Sequence, residues 1–172
     1  MILETGRLAF REMTPDDLDF VATMLGHPEV MRYYPKCLDR DESAAWIERQ
    51  RDRYIEHGYG LWLVLDRATG EPVGQVGPVP REIDGVFHVE IGYLIHRPQW
   101  RRGLATEAAG AIRDYVFETL DRPKVICLIR PENLPSQGVA LKVGLTRESG
   151  RTLELLGFTH WVYSASVKRP SS

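Results

Sequence analysis

Apolar residues recur along the chain at two spacings, and each spacing predicts an element. Leu8, Phe10 and Met13, set beside Arg7 and Arg11, predict a short first strand. Thr14-Pro15-Asp16-Asp17 predicts a helix start. Thr14 caps, Pro15 suits the first helical position, and Asp17 completes a capping box. Leu18, Val21, Ala22 and Leu25 then fall on one helical face, and Gly26 and Pro28 stop the helix. A second helix is predicted from about Asp41 to Glu56, carrying Trp46, Ile47, Tyr54 and Ile55 and ending at Gly58. Leu61 to Leu65 reads as a strand, 66–72 as a turn, and Val73 to Val76 as a returning strand ended by Gly77-Pro78.

The clearest alternation runs from Phe87 to Ile95. Phe87, Val89, Ile91, Tyr93 and Ile95 share one face, and His88, Glu90, Gly92, Leu94 and His96 share the other. Leu104, Ala108, Ile112, Val116 and Leu120 recur every four residues and predict a long amphipathic helix. Val125 to Ile129 is apolar throughout, as a strand covered on both faces would be. Asn133-Leu134-Pro135-Ser136 opens a shorter helix that ends near Gly144, and Leu153 to Val167 reads as an antiparallel hairpin turning at Gly157. The order predicts an α/β (α+β) fold. It is a single domain over 1–168, with a mixed central sheet of six to seven strands, helices on both faces, and a frayed tail over 169–172. The strand–helix–strand unit from Phe87 to Ile129 should be a right-handed crossover with parallel strands.

Length and composition agree with one domain. The chain has 172 residues, enough to bury a core without staples. Lys plus Arg is 22 against 24 for Asp plus Glu, a balance that gives no support for broad nucleic-acid binding. Cys37 and Cys127 are too few for a disulfide framework or a four-ligand zinc site, and Cys127 reads as a small core residue. No His/Cys/Asp/Glu cluster has metal-ligand spacing, so no metal is expected. No apolar run reaches the ~20 residues needed to span a bilayer, so no membrane is expected and the cytoplasm is the default setting.

The densest chemistry lies at Trp100-Arg101-Arg102-Gly103-Leu104-Ala105-Thr106, between a strand and a helix. Helix N-termini present unpaired N–H groups and partial positive charge. Glycine there lets a phosphate approach the backbone, and the arginines add positive charge, the makings of a pyrophosphate site. The bland alternative is a strand–helix loop with solvated arginines. A Walker P-loop and a dinucleotide fingerprint are both absent.

The run from Glu90-Ile91-Gly92-Tyr93 through Trp100-Arg101-Arg102-Gly103-Leu104-Ala105-Thr106-Glu107-Ala108 resembles the acetyl-CoA motif of the GNAT superfamily of N-acetyltransferases, and most of all its RimJ/RimL-type branch. Leu3-Glu4-Thr5-Gly6-Arg7-Leu8 resembles that branch's first strand, and Asn133-Leu134-Pro135-Ser136 resembles its Asn-x-x-Ser element. Val143-Gly144-Leu145 stands where Leu-Gly-Phe is usual. Trp100 occupies a place that is Gln or Arg in the wider superfamily and commonly Trp in this branch.

The resemblance implies acetyl-CoA as co-substrate and direct attack by an amine in a ternary complex. The amine would come from a protein N-terminus or a small molecule. Holding both reactants in one cleft is worth up to ~7–11 kcal/mol of barrier. It also implies that the strand before the motif bulges and splays from the next. The backbone of Leu94 and Ile95 would then pair with the pantetheine arm, the amides of Arg101, Arg102, Gly103, Leu104, Ala105 and Thr106 would hold the pyrophosphate, and Asn133 would touch the arm. The attacking ammonium must lose a proton, so a base is expected. Glu90 is the first candidate, or else a solvated strand carboxylate; Glu154, whose strand position resembles the place where RimL-type enzymes carry a base, is its rival. Ser136 matches the residue that protonates the leaving thiolate, or else simply caps or lines its helix. His88 and His96 read as surface histidines, and Tyr93 as core. Residues 32–42, aromatics beside acids, lie where the superfamily builds its acceptor cleft. Dimers are common in the family. A non-catalytic acyl-CoA-binding or sensor protein is the alternative reading.

Overall fold

The structure, a computed structural model, describes residues 1–167; the tail expected over 169–172 lies outside the described residues. The elements are β1 (Leu3–Glu4), β2 (Leu8–Arg11), α1 (Leu18–Leu25), α2 (Arg40–His57), β3 (Trp62–Asp66), β4 (Pro72–Ile83), β5 (Val86–Ile95), α3 (Leu104–Glu118), β6 (Lys124–Ile129), α4 (Leu134–Lys142), β7 (Thr146–Leu155) and β8 (Phe158–Ser166). The strands form one mixed sheet in the order β1-β2-β3-β4-β5-β6-β8-β7. It holds eight strands among the described residues, rather than six to seven, because Leu3–Glu4 forms its own short strand against β2. Only the β5–β6 pair is parallel among those described, as the crossover through α3 requires.

Local signals account for the helix ends. The Thr14 amide donates to Asp17 Oδ2 at 2.8 Å ahead of a single 3-10 turn, Pro15–Asp17, that leads into α1. Asp39 caps α2, accepting from the Glu42 amide while Glu42 accepts from the Asp39 amide, each at 2.8 Å. Gly58 ends α2 in the left-handed conformation (φ 79°), which costs glycine little. Ile55, expected among the apolar positions of α2, points to solvent and is 86% exposed.

The two sheet faces bury different helices. Leu104, Ala108, Ile112 and Val116 of α3 pack on Val64, Val76, Val89 and Ile91. Val21, Met24 and Leu25 of α1 and Ile47 of α2 pack on Leu61, Leu63 and Val79 from the other side. Cys127 is buried as expected, and burial raises its thiol pKa far above the ordinary value.

One expectation fails instructively. Gly77-Pro78 does not end β4, which continues to Ile83. Register with β3 stops at Trp62↔Val76, so from Gly77 onward β4 pairs only with β5. Proline lacks an N–H, and an unpaired strand edge tolerates that loss. A Cβ on Gly77 would lie 2.1 Å from the Gly60 carbonyl oxygen, so only glycine permits the chain to cross there. The lengthened β4–β5 ribbon carries Arg81 into line with His88, beside Glu90.

Candidate active site

β5 and β6 share one registered pair, Glu90↔Ile126, although β5 runs on to Ile95 and β6 to Ile129. Each strand is committed to its other neighbour. β5 pairs with β4 from Val86 to Ile95, and β6 pairs with β8 from Lys124 to Ile129. The two therefore fork beyond Glu90. The expected bulge is absent: the β4–β5 register runs from Gly74↔Ile95 to Ile83↔Val86 without a shift.

That continuity reassigns the groups facing the fork. The His96 amide donates to the Val73 carbonyl, so strand alternation turns the backbone of Leu94 toward β4 and that of Tyr93 and Ile95 toward the fork. The backbone of Leu94 is thus taken up by β4, while that of Tyr93 is turned to the fork. The Ile95 carbonyl is already engaged by Trp100, whose Nε1 donates to it at 2.7 Å. The Cys127 thiol points to the Ile91 carbonyl at 3.6 Å, near the root of the fork.

The loop after β5 fits an anion. Gly103 caps α3 with φ 74°, no side chain caps the helix, and Arg101 is also left-handed at φ 62°. Left-handed and right-handed residues in alternation gather successive N–H groups into a concave nest. No described residue outside the helix accepts a hydrogen bond from the amides of Arg101 to Thr106. A Cβ on Gly103 would meet only Arg7 Nη2, at 3.6 Å. Arg7, Arg67 and Arg102 with Gly6, Asp66 and Leu104 line a pocket of about 530 Å³ beside this mouth.

Glu107, in the first turn of α3, holds Arg7, which lines that pocket. It accepts from Thr5 Oγ1 at 2.6 Å, from the Arg7 amide at 2.9 Å and from Arg7 Nε at 2.6 Å, and Arg7 Nη1 donates to the Arg102 carbonyl at 2.8 Å. Burial raises the Glu107 pKa, but the bonds from Thr5 and Arg7 outweigh it and hold the carboxyl below its usual range. A depressed folded value adds stability that is fully present above the ordinary carboxylate pKa of about 4.3 and is lost as pH falls through the folded value. Glu107→Gln should lower the melting temperature at neutral pH by roughly 2–4 °C. Melting curves of both proteins should converge in acid; an equal gap at both ends of the pH range would refute the role.

The remaining expected residues divide. Glu90 is buried beneath the α1–α2 face. Arg81 Nε and Nη2 reach its Oε2 at 2.8 and 2.6 Å, and no described residue donates to its Oε1. Tyr34, from the 32–42 stretch, lies beside this pair. Burial first and the Glu90 charge second push its phenol up to about 12, so it is a neutral donor at ordinary pH. Ser136 meets Tyr93 across the fork. The Tyr93 hydroxyl donates to the Ser136 carbonyl at 2.9 Å and lies 2.7 Å from Ser136 Oγ. Tyr93 packs against the core as expected, yet its hydroxyl belongs to the site; burial above all holds its pKa well above 10. Asn133 caps α4, accepting from the Ser136 amide at 3.2 Å. Glu154 is exposed on β7, the far edge of the sheet, where Thr159 Oγ1 donates to it; no hydrogen bond joins it to Glu90 or Ser136. His88 and His96 are half-buried rather than on the surface, with pKa values lowered chiefly by burial, and the His96 ring meets Phe20 edge-on at 5.3 Å.

Sequence reasoning missed Arg81, because β4 was expected to end before it. It also missed the Glu107 latch, although Thr5-Gly6-Arg7 and Thr106-Glu107 both stand in the motifs. No group of three metal-ligating side chains occurs among the described residues, and no helix among them is long and apolar enough to cross a membrane.

Known proteins share this arrangement. The protein YkkB of Bacillus subtilis (strain 168) is 35% identical over 144 residues, covering 83% of this chain and 84% of that one. The N-acetyltransferase YnaD of the same organism is 30% identical over 149 residues, covering 86% and 84%. The crystal structure of an acetyltransferase from Agrobacterium tumefaciens superposes with a TM-score of 0.82 at 26% identity, covering 96% of this chain and 94% of that one. The family described as the acetyltransferase (GNAT) domain matches residues 7–146, a span that takes in the forked strands, the open amides at Gly103 and the Tyr93–Ser136 contact. The chain therefore belongs to the GNAT family and is an acetyl-CoA-dependent N-acetyltransferase.

Proposed function

We propose that the protein moves an acetyl group from acetyl-CoA to a primary amine by direct attack, in the manner of the RimJ/RimL-type branch. The fork between β5 and β6 carries this reading, because it leaves strand-edge groups of Tyr93 and Ile95 beside an open anion nest. The nest amides of Arg101, Arg102, Gly103, Leu104, Ala105 and Thr106 bind the pyrophosphate, with Arg7 and Arg102 at its rim. The pantetheine arm pairs with the fork edge of β5, and Asn133 offers its side-chain amide from the α4 side.

The ammonium nitrogen gives one proton to Glu90, directly or through water, and attacks the thioester carbon. Arg81 fixes Oε2 and leaves Oε1 for that proton. The Tyr93 amide stabilises the oxyanion. The C–S bond breaks as the amide forms. The thiolate takes a proton from Ser136, which recovers one from solvent, and the nitrogen's second proton is released. Tyr93 stays neutral and holds Ser136 in place.

CoA release from acetyl-CoA with a panel of amines tests the reading, and no release with any amine would refute it. Ser136→Ala should lower kcat by about 100-fold with acetyl-CoA affinity kept, the low end of what a positioned proton donor contributes. Tyr93→Phe should cost about 10-fold by loosening Ser136. Full turnover in Ser136→Ala would assign the thiolate's proton to water.

A further inference from the structure

Arg81 holds Glu90, and two arginines of α2, Arg49 and Arg53, lie on the same side of the sheet. On α2, Trp46, Arg49 and Arg53 follow at helical spacing and share one edge. The Arg49 guanidinium lies over the Trp46 ring at 5.5 Å, and that ring meets Tyr34 edge-on at 6.4 Å. Arg53 is half-buried. Its Nη1 donates to Gln50 Oε1 at 3.1 Å, an oxygen that also accepts from the Leu61 amide at 3.1 Å. This anchors Arg53 at the start of β3, within electrostatic reach of both Arg81 and Glu90.

Neither Arg49 nor Arg53 forms an ion pair with a carboxylate among the described residues; Glu48, one turn away, pairs with Arg51 instead. The one carboxylate that acts on Arg53 is that of Glu90, which Arg81 already holds, while Arg81 and Arg49 both repel Arg53. Burial first and the Arg81 charge second lower the Arg53 pKa, against the Glu90 charge, which raises it.

We propose that the acceptor is a primary amine that also carries a carboxylate, and that Arg49 and Arg53, with Arg81, hold that carboxylate while the amine faces Glu90. The inference rests on the transferase reading and narrows its substrate class. Guanidinium pairs with carboxylate through two charge-assisted hydrogen bonds, whereas a polycationic amine would set its further cations against these arginines. A free amino acid and the N-terminus of an acidic peptide share this chemistry.

Matched acceptors test it by CoA release: glutamate against its diamide, a C-terminally amidated Ser-Glu peptide against its amidated Ser-Gln counterpart, and spermidine and an aminoglycoside as polycations. Carboxylate acceptors should exceed their amide counterparts by about 10-fold in kcat/KM. Arg53→Gln should erase that preference through KM, and so should Arg49→Gln, whose side chain is exposed and unneeded for folding; a coenzyme A titration checks that each variant is folded. The better of the glutamate and Ser-Glu arms tells a small acceptor from a peptide. Polycations acetylated as well as carboxylate acceptors, or a preference that survives both substitutions, would overturn the inference and leave the transferase intact. Coenzyme A binding without release for any amine would remove the transferase reading itself, and this inference with it.

Discussion

Gly103→Glu is expected to weaken coenzyme A binding by at least about 100-fold, roughly 2.7 kcal/mol, with the far-UV circular dichroism of the wild type. Two effects add. Gly103 sits at φ 74°, a conformation that costs a residue with a Cβ about 1–2 kcal/mol. The new carboxylate then lies among the amides that should face the pyrophosphate, so like charges meet where the helix dipole and Arg7 and Arg102 favour an anion. Gly103→Ala separates the two. It carries the conformational cost without the charge, and its loss should be nearer about 10-fold. Isothermal titration reads both values. Wild-type affinity in Gly103→Glu would refute the nest as the phosphate site.

Glu90→Gln should lower kcat by about 100-fold or more while coenzyme A affinity stays at the wild-type value. The amide oxygen of Gln can still accept from Arg81, so the guanidinium keeps a hydrogen bond although it loses its counter-charge. Undiminished turnover in Glu90→Gln would move the base role to Glu154 or to a water.

Most of the fold was legible because most of its elements obey one period. α3 announces itself through Leu104, Ala108, Ile112 and Val116, all of which are buried. The elements that misled are those where a neighbour overrides the local signal. Gly77-Pro78 looks like a strand end, and only the departure of β3 at Trp62 makes it tolerable inside β4. Phe87 shares a period with Val89 and Ile91, yet it lies near the ribbon tip and is 45% exposed under Arg122.

The site divides the same way. The nest around Gly103 is local in sequence and was readable there. Which backbone groups of β5 face the fork depends on strand pairing, and that pairing turns Leu94 to β4 and Tyr93 to the fork. The link from Tyr93 to Ser136 spans 43 positions and needs the fold to exist before it can be seen.

Hydrogen exchange of the backbone amides with and without coenzyme A tests the central claim most directly. The amides of Arg101 to Thr106 have no partner outside the helix among the described residues, so exchange there should be fast in the free protein and slow markedly on binding. Protection confined to other segments, with this stretch exchanging at the same rate in both states, would contradict the account.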